Sequence, residues 1–241
     1  MKENLVFNPN RLSVGFILLI ILFCSYTYNF DIFLFLAISI FTLLDIYYSK
    51  LLRSYYLFIA IIFLSLFYIL IKFNNELLIF FTIFAFISFT LSLNKNLYKI
   101  FFPISILFFN TCFLYLLLYE RDIFYLVILI SFINDSFAYF FGNLLKGPPI
   151  IPKISPKKTW SGTITSISIS TILLIYFDFN IFLSLILSVS LFLGDLHFSL
   201  VKRRLQIKDF SNFLGSHGGI LDRIDSMFIF TIIICFYNLL I

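Results

Sequence analysis

The sequence is dominated by apolar runs that are long enough to cross a lipid bilayer. About 20 helical residues span roughly 30 Å of hydrocarbon. Nine runs approach that length, at 13–29, 30–48, 56–73, 77–94, 100–119, 123–142, 162–178, 181–201 and 226–241. Hydrophobic residues make up 61% of the 241 residues, and charged residues only 12%. A soluble globule buries only about 70% of its chain's surface, so this composition excludes one.

The runs favour helices over the strands of a membrane barrel. They are continuously apolar and lack the alternation of barrel strands, and a helix satisfies its backbone polar groups within the segment. The predicted fold is therefore all-α: a polytopic integral membrane helical bundle with about nine transmembrane helices.

Lysine and arginine are distributed unevenly among the loops. With a cytoplasmic N-terminus and nine crossings, 15 of the 17 lie on the cytoplasmic side, and Lys72 and Arg121 lie opposite. The positive-inside rule favours this orientation, so we expect a protein of the inner (cytoplasmic) membrane of the cell. Asp31 and Asp45, near predicted helix ends, are expected to be solvated or interfacial.

The two parts of the chain differ in their loops. Residues 1–120 have short, chemically plain loops, and we expect them to supply transmembrane helices with a lipid groove or dimer contacts. Residues 121–241 contain two long cytoplasmic segments, 143–161 and 202–225, rich in Lys, Arg, Asp, Gly and Pro. Polar backbone beside a membrane core usually lines a site, so the active site is expected at the cytoplasmic face of this part.

One face of the eighth run combines an acid, a hydroxyl and two cations. Asp195, Ser199, Lys202 and Arg203 are spaced i, i+4, i+7 and i+8, which places them on the same side of a helix. Carboxylate oxygens suit Mg²⁺, and the basic side chains suit phosphates. The alternative is a basic loop that fixes topology and contacts anionic lipid head groups.

Two further acids follow a glycine pair. Asp222 and Asp225 are three residues apart and can share a helix face. The preceding His217, Gly218 and Gly219 can bring bare backbone N–H groups close to an anion, because glycine permits a close approach.

The sixth run and the loop after it form a second polar group. Asp135 lies within an apolar run, where an ionisable side chain usually faces the bundle interior or water. Lys157 and Lys158 offer paired ammonium groups, and Thr159 or Ser161 can cap the next helix.

These motifs resemble the signature of the phosphatidate cytidylyltransferase (CDP-diacylglycerol synthase) family of membrane enzymes. Asn134-Asp135 and residues 155–163 resemble other recurring blocks of that family, so the resemblance covers about residues 131–226. The chain departs from the pattern at Gly215-Ser216 and at Phe198. The signature positions matched are Ser199, Lys202, Arg203, Lys208, Asp209, His217, Gly218, Gly219, Asp222, Arg223 and Asp225.

The resemblance implies an enzyme, a nucleotidyltransferase that joins CTP and phosphatidic acid into CDP-diacylglycerol and pyrophosphate in phospholipid biosynthesis. Its partners would be these substrates and membrane lipid, with no nucleic acid. A homodimer and a second cation beside Mg²⁺ are compatible with it. The alternatives are a CTP-dependent lipid-alcohol kinase, another CDP-lipid synthase, or a transporter of a phosphorylated solute.

The resemblance also implies a role for each matched residue. We expect three acids to ligate Mg²⁺, namely Asp195, Asp222 and Asp225. We expect Ser199, Lys202, Arg203 and Arg223 to complete the catalytic set at the phosphates. We expect the remaining positions to bind substrate, namely Asp135, Lys157, Lys158, Lys208, Asp209, His217, Gly218 and Gly219.

Overall fold

The computed structural model describes residues 20–49, 51, 75–211, 213 and 218–240. Apart from one short hairpin, the elements in these residues are helices, and residues 20–28 are also helical. The helices are α1 (Asp31–Tyr48), α2 (Asn75–Ser92), α3 (Tyr98–Tyr119), α4 (Arg121–Leu145), α5 (Trp160–Tyr176), α6 (Ile181–Arg204), α7 (Leu221–Ile224) and α8 (Met227–Leu240). The strands are β1 (Pro149–Ile151) and β2 (Ser155–Thr159).

The helices coincide with the predicted apolar runs wherever the chain is described. Helices α1 to α6 and α8 correspond to seven of those runs, the run at 13–29 is helical over 20–28, and the run at 56–73 lies outside the described residues. By length and composition, α1, α3, α4 and α6 can each cross a membrane, and α5 and α8 are shorter apolar helices. This agrees with an all-α integral membrane protein, and the total of nine crossings stays a prediction.

The segment 143–161, for which the sequence predicted no strand, contains a short β-hairpin. The hairpin is antiparallel, and in it Pro149 pairs with Thr159 and Ile151 with Ser155. The Thr159 hydroxyl accepts a hydrogen bond from the Gly162 N–H at 3.2 Å and so caps α5, as predicted. The Trp160 N–H donates to the Pro148 carbonyl at 3.0 Å, which ties the start of α5 to the start of the hairpin.

An aromatic core connects the N-terminal helices to the C-terminal ones. Phe102 and Phe109 of α3 are fully buried. The Phe102 ring contacts Phe198 of α6 at a centroid distance of 5.0 Å, and the Phe109 ring contacts Phe228 of α8 at 5.4 Å. Each aromatic pair contributes about 0.5–1.5 kcal/mol beyond its buried area. This packing fixes α6 and α8, which carry or flank the predicted catalytic residues.

Glycine allows close approach at two helix contacts beside the site. A Cβ added at Gly162 of α5 would lie 3.0 Å from the Gly142 Cα of α4, and one at Gly194 of α6 would lie 2.5 Å from the Asp225 carbonyl oxygen. Without a hydrophobic drive between helices in lipid, small residues permit the tight packing that holds them together. Gly194 thereby brings Asp195 close to the segment that carries Asp225.

Candidate functional site

Asp195 of α6 faces Lys158 at the end of the hairpin. The Lys158 Nζ lies 2.5 Å from the Asp195 Oδ2 and 5.7 Å from the ring centroid of Phe192. The Nζ atom is buried. An ammonium has three N–H donors, so pairing with Asp195 leaves others for an anionic ligand.

Strand alternation separates the two neighbouring lysines of the hairpin. Lys157 is exposed, whereas Lys158 is partly buried and points toward α6, because successive strand residues face opposite sides. The structure brings only Lys158 to the acids.

Lys202 joins α6 to two acids that follow the glycine pair. Its Nζ donates to the Asp222 Oδ1 at 2.7 Å and lies 3.9 Å from the Asp225 Oδ2. The predicted polar face of α6 thus places Asp195 and Lys202 in one site, with Ser199 buried between them.

The next two basic residues of α6 have other partners. The Arg203 Nε donates to the Ile154 carbonyl at 3.0 Å in the hairpin turn. The Arg204 guanidinium donates to the carbonyls of Ser92 and Leu93 at the end of α2. Arg203 therefore anchors the hairpin that presents Lys158.

Asp222 accepts three hydrogen bonds from the described residues. Its Oδ2 accepts the backbone N–H groups of Phe210 and Gly219, each at 3.0 Å, while Oδ1 accepts from Lys202. Gly218 adopts a φ of +79°, a backbone conformation that glycine takes without a steric penalty. Asp222 thereby fixes the backbone on both sides of residues 214–217.

Asp225 is buried next to other acids. Its Oδ1 accepts the Ser226 N–H at 2.9 Å. Burial, followed by the charge of Asp195, raises the pKa of Asp225 well above its ordinary value, and Lys202 partly opposes that shift. A carboxyl in this environment holds its proton until a cation compensates the charge.

Asp135 enters the same site from α4. Its Oδ2 accepts from the Ser226 hydroxyl at 3.1 Å, and its Oδ1 accepts from Asn134 at 3.4 Å. Because Ser226 follows Asp225 in the chain, the bond from Ser226 brings Asp135 to the segment that carries Asp225. We call Asp135, Asp195, Asp222 and Asp225 the acidic cluster.

Several expected site residues lie at its edge or outside the described chain. Lys208 and Arg223 are exposed. Asp209 lies beside Gly218, where an added Cβ would be 3.3 Å from the Asp209 Oδ1. His217 is outside the described residues.

The carboxylate oxygens of the acidic cluster suit Mg²⁺, which prefers oxygen ligands. Within the described residues, however, no group of three or more His, Cys, Asp or Glu side chains is arranged to hold a metal ion. Asp195 and Asp222, which the sequence predicts as ligands of one ion, are instead paired with different lysines, Lys158 and Lys202. With all four acids ionised, the cluster exceeds the two lysines by two negative charges, the excess that a divalent cation would balance.

Asp45 is a buried acid that the sequence interpretation placed in solvent or at the interface. It is 0% exposed, and its carboxylate accepts from the Ser211 hydroxyl and the Leu221 N–H, each at 2.6 Å. Asp31 is likewise paired, with Arg121 at 2.8 Å. The sequence did contain a signal for Asp45, because an acid inside an apolar run of a membrane protein usually marks a functional position.

A cavity of about 770 Å³ is lined in part by residues 209–211. Its lining includes Lys99, Asp209, Phe210 and Ser211, and no member of the acidic cluster. The cavity therefore adjoins the site without containing the carboxylates.

Comparison with known proteins places these residues in a family context. The sequence profile of the cytidylyltransferase family matches residues 9–241. A phosphatidate cytidylyltransferase from Rickettsia conorii is 37% identical over 116 residues, which cover 42% of this chain and 50% of that protein. One from Aquifex aeolicus is 38% identical over 142 residues, covering 53% of this chain and 54% of that protein. The chain spans about half the length of these curated relatives.

Proposed function

This chain belongs to the cytidylyltransferase family, and we propose that it transfers the cytidylyl group of CTP to phosphatidic acid. The products are CDP-diacylglycerol and pyrophosphate. The names of the matched relatives support this choice of substrates.

The observation that carries the proposal is the charge balance of the acidic cluster. Lys158 and Lys202 compensate two of its four charges, and Asp225 is 6% exposed. Buried charges without partners are strongly unfavourable, so ionisation of all four acids requires a bound divalent cation. Such a cation, beside Lys158 and Lys202, would in turn attract a phosphorylated substrate. This combination is typical of phosphoryl and nucleotidyl transfer.

The reaction requires two anions to meet. A phosphate oxygen of phosphatidic acid attacks the α-phosphorus of CTP, a P–O bond forms, and the bond to the pyrophosphate group breaks with its electron pair leaving on pyrophosphate. A phosphomonoester has its second pKa near about 6, so its oxygen is already largely ionised at neutral pH. The protein therefore contributes positioning and charge compensation.

The residues of the site divide these tasks. We assign Asp195, Asp222 and Asp225 to the Mg²⁺ ion, which when bound supplies positive charge at the phosphates. Lys158 and Lys202, which compensate the acids in the structure, then donate to phosphate oxygens. Arg203 keeps the hairpin, and with it Lys158, against α6.

The proposed orientation places this site at the cytoplasmic membrane surface. CTP is water-soluble, and phosphatidic acid presents its phosphate at the interface while its acyl chains stay in hydrocarbon. The excess of Lys and Arg in loops of one side supports the same orientation.

The decisive experiment uses purified protein, Mg²⁺, phosphatidic acid and CTP labelled at the α-phosphate. Cytidylyl transfer puts the label into lipid and releases one pyrophosphate per labelled lipid. Label that stays in water-soluble CDP, with a lipid alcohol phosphorylated, would establish a kinase instead. Solute movement into liposomes without nucleotide turnover would establish a transporter.

A matched pair of variants tests the site. Asp195→Asn should lower turnover by about 100-fold or more, because it removes a proposed ligand of the Mg²⁺ ion that would compensate the charge of the phosphates. Asp178→Asn is the control, because Asp178 is exposed between α5 and α6 and has a φ of +65°, which asparagine tolerates. Equal turnover in both variants would show that Asp195 takes no part in the reaction.

A further inference from the structure

We propose that Asp45, on α1, is a positioning residue that holds Asp222 and the loop containing Gly218 and Gly219 in the geometry that the reaction requires. The inference rests on the proposed function, because the loop that Asp45 contacts carries residues that we expect to bind Mg²⁺ and phosphate. It assigns to the N-terminal part of the chain a direct role in a site whose other residues lie after residue 130.

The loop has two described limbs, residues 209–211 and residues 218–222, on either side of residues 214–217. Asp45 bonds to both of them, through the Ser211 hydroxyl on the first limb and the Leu221 N–H on the second. Asp222 does the same through the Phe210 and Gly219 N–H groups. Two carboxylates therefore close the base of one loop side by side.

The two carboxylates are not equivalent. Asp222 also accepts from Lys202, and binding of a cation would compete for its oxygens. Asp45 has no such second task among the described contacts, since its oxygens bind only the loop. Asp45 can therefore hold the two limbs together while Asp222 binds the cation and Lys202 binds the substrate phosphates.

The close approach of the loop to α1 depends on glycine. A Cβ added at Gly219 would collide with the Asp45 carboxylate and lie 2.7 Å from the Ser211 Oγ. The second limb thus has its smallest residue where it meets the buried acid. Close packing at Gly219 is therefore a second observation, beside the two hydrogen bonds, that the loop packs directly against α1 at Asp45.

Substitution at Asp45 separates hydrogen bonding from charge. In Asp45→Asn the amide oxygen can accept the Leu221 N–H while the amide nitrogen donates to the Ser211 hydroxyl, so both limbs stay tied. In Asp45→Ala neither bond remains. We expect Asp45→Ala to lower kcat by about 100-fold, the scale of an ångström-sized misplacement, and Asp45→Asn to restore most of it.

Asp31→Ala is the control from the same helix. Asp31 pairs with Arg121 and Tyr125 at the opposite end of α1, so its loss weakens the fold without touching the loop. We expect lower thermal stability and an unchanged kcat per folded molecule. A loss of kcat in Asp31→Ala as large as in Asp45→Ala would overturn the proposal, because any weakening of α1 would then suffice.

Hydrogen–deuterium exchange provides a readout that needs no substrate. Asp45→Ala should speed exchange in residues 209–222, with the helices α4 to α6 unchanged and Asp45→Asn close to the original protein. If Asp45→Ala does not fold, Ser211→Ala decides, since it removes one of the two bonds and should give a smaller increase in the same segment. Unchanged exchange in the variant that folds overturns the proposal, as does an equal loss of kcat in Asp45→Ala and Asp45→Asn.

The two readouts also separate this inference from the proposed function. If the original protein transfers no label from CTP, the proposed function fails, and exchange in residues 209–222 still decides the role of Asp45. If CTP is turned over and neither kcat nor exchange responds to Asp45→Ala, only the positioning role fails.

Discussion

Each buried charge of the site lies beside an opposite charge or a backbone donor. Asp222 accepts from two N–H groups and an ammonium, whereas Asp195 has one lysine and Asp225 one N–H within hydrogen-bond distance. A charge-assisted hydrogen bond contributes about 1.5–3 kcal/mol, so Asp222 is the best satisfied of the three. The less satisfied acids are the ones on which a bound cation has most effect.

Lys158→Ala should lower kcat/KM for CTP by about 100-fold, because it removes a buried ammonium aimed at the phosphates. Lys153→Ala is the control, since Lys153 is exposed in the turn of the same hairpin. Steady-state kinetics with CTP varied at saturating phosphatidic acid makes the comparison. Equal kinetics for the two variants would contradict the role given to Lys158.

The Mg²⁺ requirement should depend on pH through Asp225. Burial and the charge of Asp195 raise its pKa, so the carboxyl keeps its proton at pH values where a solvated aspartate is ionised. Because Mg²⁺ must displace that proton, the half-saturating Mg²⁺ concentration should fall as pH rises, by up to about tenfold per unit below the pKa.

Magnesium titrations of turnover between about pH 6 and 8 test this direction. A half-saturating concentration that is constant, or that rises with pH, would mean that Asp225 carries no proton that the ion displaces.

At the scale of the elements, the apolar helices were predictable and the polar segments were not. Continuous hydrophobic runs set the bounds of α2 to α6 to within a few residues, because only a helix satisfies the backbone in lipid. The hairpin was missed because its residues, including Pro149, Pro152 and Pro156, read as turn formers. Proline lacks an N–H and is tolerated at strand ends and on edge strands, which a two-stranded hairpin consists of.

The spacing of Asp195 and Lys202 was correctly predicted to place them on one face of α6. The same rule grouped Arg203 with them, and the structure shows its guanidinium bonded to the hairpin turn. Helical spacing gives the direction of the Cα–Cβ bond, whereas the end of a long side chain such as Arg203 turns toward a nearby acceptor. The predicted ligation of Mg²⁺ by Asp195, Asp222 and Asp225 stays a prediction.

Gly194→Ala should separate Asp195 from Asp225. The added Cβ would lie 2.5 Å from the Asp225 carbonyl oxygen and 2.9 Å from that of Ser226, so backbone must move. Overpacking of this kind costs about 1–3 kcal/mol, and we expect lower thermal stability in detergent together with lower turnover.

Gly142→Ala is the matched helix glycine. Its Cβ would first meet the side-chain hydroxyl of Thr159 at 3.0 Å, which can move by rotation without a shift of the backbone, although it then loses the cap on Gly162. We expect a milder effect on thermal stability and on turnover. An equal effect would show that the tight backbone contact at Gly194 does not determine the geometry of the site.

Across the whole molecule, contacts between distant parts of the chain join the N-terminal helices to the site. Asp45 bonds to Leu221 and Ser211, and Arg204 bonds to the end of α2. Such contacts join residues more than a hundred positions apart, so local spacing could not predict them. The division at residue 120 stays a prediction about composition.

The proposed orientation predicts which loops are accessible from each side. In a variant whose native Cys24, Cys112 and Cys235 are replaced, Lys153→Cys should react with a membrane-impermeant thiol reagent only from the cytoplasm, and Asp122→Cys only from outside. These residues lie at opposite ends of α4 and its hairpin and are exposed. Labelling of both from the same side would reverse or refute the assignment.

Trp160 gives the site an intrinsic optical reporter. It is the only tryptophan of the chain, is 52% exposed, and follows Lys158 by two residues. Since indole emission responds to local polarity and to nearby charge, nucleotide arriving at Lys158 would change the fluorescence of a single, already assigned chromophore. Binding can then be followed in real time without a label and without turnover.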